Sequence, residues 1–140
     1  MSQPLASLRR FLAAILLLGM SGTAIELLLL QHDEDRIQLV PLVLLAAGIA
    51  AVAWQVIARS RAGATVVRIV MVFFLGAGTA GVYYHYQANV EFQREGDPSL
   101  AGRALLWKVL QAKVPPALAP GVMIQLGLLG LAYTYRLKEE

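Results

Sequence analysis

Four long apolar stretches, at about 8–30, 37–58, 66–88 and 118–135, alternate with polar connections along this chain. A spanning helix needs roughly 20 apolar residues, because the hydrocarbon core is about 30 Å thick and an α-helix rises about 1.5 Å per residue. The pattern therefore predicts an all-α polytopic membrane protein, a four-transmembrane-helix bundle. Arg68 sits near enough to one end of the third stretch to snorkel into the headgroups. The first stretch is too long for a signal-peptide core, and no small-x-small cleavage site follows it before the acidic run, so it reads as an uncleaved anchor.

The connections are unequal. Residues 31–36 and 60–65 read as tight hairpins, but 89–117 is too long to be structureless. Within it, Asp97-Pro98 is a good helix start, with Asp as N-cap and Pro at the first helical position. Pro115-Pro116 is a stop. Between them Leu100, Leu105, Leu106, Trp107, Val109 and Leu110 mix irregularly with Arg103, Lys108 and Lys113. That mixture predicts a short interfacial helix at the outer face, wedged between lipid and neighbouring protein. No repeat or linker divides the chain, and residues 1–140 read as a single transmembrane domain.

Composition supports the same solvent. Hydrophobic residues make up 58% and charged residues only 15%, against about a quarter in soluble domains. The chain has no cysteine, which excludes disulfide frameworks, thiol nucleophiles and thiolate metal sites. A net charge of +3, with the basic residues spread along helix ends, gives no nucleic-acid footprint.

The basic residues orient the chain. With both termini cytoplasmic, seven lie inside (Arg9, Arg10, Arg59, Arg61, Arg68, Arg136, Lys138) and five outside (Arg36, Arg94, Arg103, Lys108, Lys113). The acidic run Asp33, Glu34, Asp35 then faces outward. Trp54, Tyr133 and Tyr135 fall near the inner boundary, and Tyr83, Tyr84 and Tyr86 near the outer one, as interfacial aromatics do. The expected location is the inner (plasma) membrane.

Few polar groups enter the bilayer. Glu26 lies about one turn below the outer end of the first helix, and a carboxylate at depth is costly. Gly19, Gly22 and Thr23 precede it at helical spacing, which predicts that it projects from a small-residue face into protein. His85 follows Gly78 and Gly81 in the same way, and Gln125 follows Gly121. Glu26, His85 and Gln125 would form a polar cluster open to the outside, able to hold a proton, a cation or a polar ligand. A carboxyl hydrogen-bonded across the bundle is the plainer reading.

His32, Asp33, Asp35, Glu91 and Glu95 are candidate ligands for a divalent cation. They lack a recognisable ligand spacing, and solvated loop charge is the plainer reading. Gly19, Gly22, Gly78, Gly81, Gly127 and Gly130 are expected at helix-packing positions. Pro41 and Pro120 fall near helix starts, where proline is tolerated.

No zinc-protease helix, nucleotide-binding glycine loop or serine-histidine-acid set is readable, so neither catalysis nor a cofactor is expected. Segments 83–99 and 120–135 resemble those of small bacterial inner-membrane proteins, which implies no particular activity. The four-helix size and the acidic residue in the first helix resemble the small multidrug resistance transporters. Those have short loops throughout and a mid-membrane acid, unlike Glu26 and the 89–117 connection. With no ionisable group in the central slab, the chain reads as an accessory or assembly subunit whose partners are the lipid bilayer and other membrane subunits or itself. The alternative is an oligomeric small-solute, cation or proton carrier using Glu26 and His85.

Overall fold

The computed structural model describes residues 3–31 and 35–135. Among these there are five helices and no strand: α1 (Gln3–Leu29), α2 (Arg36–Ala58), α3 (Arg61–Gly96), α4 (Gly102–Leu110) and α5 (Gly121–Tyr133). Three of them, α1, α2 and α3, are long and apolar enough to cross a membrane, whereas α5 is apolar but has only 13 residues.

The helices α1, α2, α3 and α5 close into a ring. α1 packs on α2 and α5, and α3 packs on the same two, most extensively on α5. Leu16, Met20, Leu45, Val52, Val67, Met71 and Phe74 are fully buried at its centre. Large apolar side chains such as Leu18, Leu29 and Ile57 face outward. Lipid is as apolar as leucine, so what holds such helices together is close packing. Gly78 provides it in one place, since a Cβ there would lie 2.9 Å from the main-chain nitrogen of Ile124. Gly127 provides it in another, where a Cβ would lie 2.9 Å from the Met71 carbonyl oxygen.

Local signals set the helix ends. The α2–α3 link is two residues, shorter than the expected 60–65 hairpin. Arg59 turns left-handed (φ 47°) with its N–H on the Gln55 carbonyl, and the Ser60 hydroxyl accepts from the Gly63 N–H. α3 then runs for 36 residues, well past the expected 66–88. At about 1.5 Å per residue it is about 54 Å long, far more than a bilayer core. Its last turns, the polar stretch around Gln93 and Arg94, remain helical and carry a small lobe.

The expected helix start at Asp97-Pro98 is corrected. Asp97 is the C-cap of α3, and its carboxylate accepts from both the N–H and the hydroxyl of Ser99. The Leu100 N–H reaches the Asp97 carbonyl, closing a turn with proline at its second position. The aspartate side chain is thus used by the turn, and the helix begins only at Gly102, whose φ of +57° glycine adopts without strain. α4 folds back on α3, and Leu105, Val109 and Ala117 pack with Val90, Tyr86 and Leu100 in a second, smaller core.

α4 ends at Leu110, before Pro115-Pro116. The segment into α5 is wound tightly: the N–H groups of Ala119, Gly121, Val122 and Met123 each reach a carbonyl three residues back. The helix proper starts after Pro120, which occupies its N-cap position.

Candidate functional site

The polar residues expected to meet near the outer side are placed apart. His85 Nδ1 lies 2.9 Å from the Pro116 carbonyl oxygen. One turn along α3, the buried Asn89 amide donates to the carbonyls of His85 (2.9 Å) and Pro115 (2.8 Å). His85 and Asn89 together clip the proline loop to the side of α3. Two consecutive proline carbonyls are fixed by two side chains one helical turn apart.

Glu26 is exposed on this chain and does not point into the bundle, which corrects the expectation drawn from its glycine neighbours. The packing face of α1 is set by the buried Ala13, Leu16 and Met20, continued by Ala24 and Leu27. At about 100° per residue, Glu26 lies about a third of a turn from the centre of that face. Gly19 stands at its edge, where a Cβ would meet Leu126 at 2.9 Å, while nothing lies within 4 Å of a Cβ on Gly22. Gln125 is also exposed, on α5. No hydrogen bond joins Glu26, His85 and Gln125 to one another among the described residues.

The acidic candidates are only partly described. His32 and Asp33 lie outside the described residues. Asp35 is exposed and accepts from the Arg36 N–H at 2.6 Å, at the start of α2. Glu91 and Glu95 are exposed on the extension of α3. No three metal-ligating side chains come together among the described residues.

At the other end of the bundle, arginines converge on the close of α5. Arg68 donates to the Thr134 carbonyl, and an Arg9 Nη2 lies 3.4 Å from that of Tyr135. Thr134 is fully buried, and its hydroxyl donates to the carbonyls of Gly130 and Leu131. Arg68 thus ties the start of α3 to the end of α5.

Sequence reasoning missed Asn89, Thr134 and the role of Arg68. A signal existed for the first: an amide one turn after His85 and facing the loop that carries Pro115-Pro116. For Thr134 there was none, because its partner is 66 residues away.

The remaining glycines divide by surroundings. A Cβ on Gly81 would meet Pro120 at 2.7 Å and one on Gly130 would overlap Met71, whereas Gly76 has open space. Gly76 instead lies in a shallow groove on the outer side of α3, lined also by Val72, Leu75, Thr79, Tyr83 and Tyr84. No protein-family model matches this chain, no curated protein matches its sequence, and no solved structure matches its fold.

Proposed function

We propose that this chain is a small non-enzymatic subunit that crosses the bilayer four times and docks another membrane protein through its outer lobe. The carrying observation is the outward face of that lobe. Leu106 (44% exposed), Trp107 (64%), Leu110 (41%) and Val114 (86%) point away from the lobe's own core. Because Leu105 and Val109 already fill that core, the lobe does not need the outward residues to fold. Contiguous apolar surface beyond what folding uses marks a contact site, here for a partner that meets the lobe at the outer membrane surface.

The fourth crossing is supported by chain length. Residues 117–135 comprise tight turns at about 2 Å per residue and 13 helical residues. Together they approach the thickness of a bilayer core. The arginine-rich end, where α1 begins and α5 closes, supports placing both termini in the cytoplasm of a cell with this protein in its inner membrane. The filled apolar centre of the ring supports an accessory role over transport, since conduction needs polar groups at several depths.

Native mass spectrometry after mild extraction from the source membrane tests the proposal. The chain should leave the membrane with other subunits, and Leu106→Glu with Leu110→Glu should release them from a folded chain. A lone chain or a homo-oligomer from the native membrane would defeat it.

The carrier reading keeps one observation. Glu26 is exposed beside the open Gly22, so a second copy seated there would enclose the carboxylate between subunits. Under that reading Glu26→Gln abolishes transport and leaves the oligomer intact.

A further inference from the structure

The two ends of the bundle differ in charge. Where α1 begins, α2 turns into α3 and α5 closes, the described residues include Arg9, Arg10, Arg59, Arg61 and Arg68 and no carboxylate. The opposite end carries five carboxylates (Glu26, Asp35, Glu91, Glu95, Asp97) against five cations (Arg36, Arg94, Arg103, Lys108, Lys113). Arg68 meets a main-chain carbonyl, which is neutral and leaves its charge in place. Arg10, Arg59 and Arg61 are exposed.

Arg59 and Arg61 stand where the backbone does not favour them. Arg59 adopts φ 47° and ψ 42° at the end of α2, a left-handed position that glycine or asparagine fills with less strain. Both flank the start of α3, where the helix dipole favours anions, and the first turn of α3 has no acidic residue. Local structure would be better served by glycine at 59 and an acid at 61. What the arginines supply instead is concentrated positive charge, next to the exposed side chains of Trp54 (45%) and Ile57 (81%) at the end of α2.

We propose that the α2–α3 turn binds the phosphate headgroup of an anionic phospholipid, with Arg59 and Arg61 on the phosphate and Trp54 and Ile57 against the acyl chains. An anion held by the two guanidinium groups also satisfies the dipole of α3. The adjoining apolar side chains make a lipid the occupant in preference to a soluble anion. The exposed Arg10 deepens the potential at this end.

The test uses the full chain purified in a neutral maltoside detergent, with phosphatidylglycerol or phosphatidylcholine of matched acyl chains added. A micelle has no sides, so the part these arginines play in orienting the chain does not enter. Native mass spectrometry should show phosphatidylglycerol retained over phosphatidylcholine, and phosphatidylglycerol should raise the melting temperature. R59G and R61Q should each weaken retention about fivefold, the effect of one basic side chain at an anionic surface. R103Q, at the opposite end, should leave it unchanged. Without added lipid R59G should melt no lower than the parent, because glycine accepts the left-handed backbone; if it does not fold, R61Q decides. Undiminished retention in R61Q, or an equal loss in R103Q, overturns the proposal. An equal rise in melting temperature from soluble glycerol phosphate overturns it too, by making this a site for free anions.

Discussion

The guanidinium of Arg68, near the start of α3, donates to the main-chain carbonyl of Thr134, at the end of α5. A cation at a helix C-terminus meets the negative end of the dipole, and the carbonyl it reaches belongs to a fully buried residue. Hydrogen bonds from charged groups contribute about 1.5–3 kcal/mol. Arg68→Met should therefore lower unfolding stability by about that amount in detergent or lipid, while Arg68→Lys retains part of it. An unfolding midpoint unmoved by Arg68→Met would show that α5 needs no such anchor.

Gly78 and Gly22 make an opposed pair. A Cβ at Gly78 would press on Ile124 at both its side chain (2.7 Å) and its main-chain nitrogen (2.9 Å), so the helices must move apart. Gly78→Ala should cost about 1–3 kcal/mol. Gly22→Ala meets nothing within 4 Å and should gain about 0.5–1 kcal/mol from helix propensity. The comparison is read from the two unfolding curves; the reverse order would place the α3–α5 contact elsewhere.

Asn89→Ala removes both bonds of the buried amide and leaves the Pro115 carbonyl without that donor. The expected cost is about 1–3 kcal/mol, felt locally. Hydrogen exchange should quicken at Ala117 and Ala119 and in α4, and stay slow at Val52 and Phe74. Uniform quickening would mean that the lobe and the bundle open as one unit.

Asp97 gives the turn after α3 a pH dependence. The Ser99 hydroxyl, followed by the Ser99 N–H, holds its pKa below the ordinary 3.8. A depressed carboxylate adds stability above its ordinary pKa and loses it as pH falls through the lower folded value. The turn should thus hold at neutral pH and loosen only in acid below pH 3.8. Ser99→Ala should move the Asp97 titration up towards its ordinary value, followed by carboxyl-carbon NMR. A titration that does not move would assign the shift to another neighbour.

The apolar helices were legible because lipid imposes one requirement, length, that hydropathy reports directly. α2 was expected at 37–58 and runs Arg36–Ala58. The start of α4 was misplaced because Asp-Pro-Ser serves a turn as well as a helix cap, and only the Ser99 contacts decide between them. Glu26 was misassigned for a related reason. Small residues at helical spacing mark one face of α1, but Leu16 and Met20 claim the core and leave that face at the edge. The clip at His85 and Asn89 and the anchor at Arg68 join distant segments to main-chain carbonyls, and a carbonyl has no signature in a sequence.

The unbroken 36-residue α3 runs from the arginine-rich end of the bundle to the lobe beyond the opposite end. It forms a continuous rod about 54 Å long, which could act as a lever. Pivoting at the α2–α3 turn, a tilt of about 10° would swing the lobe by about 9 Å over that length. A partner seated on Trp107 and Leu110 would thereby be mechanically joined to the lipid proposed around Trp54. A spin label at Phe92 should report such a swing when the lipid at the arginine-rich end is changed, and a stationary label would show that the ring holds the lever still.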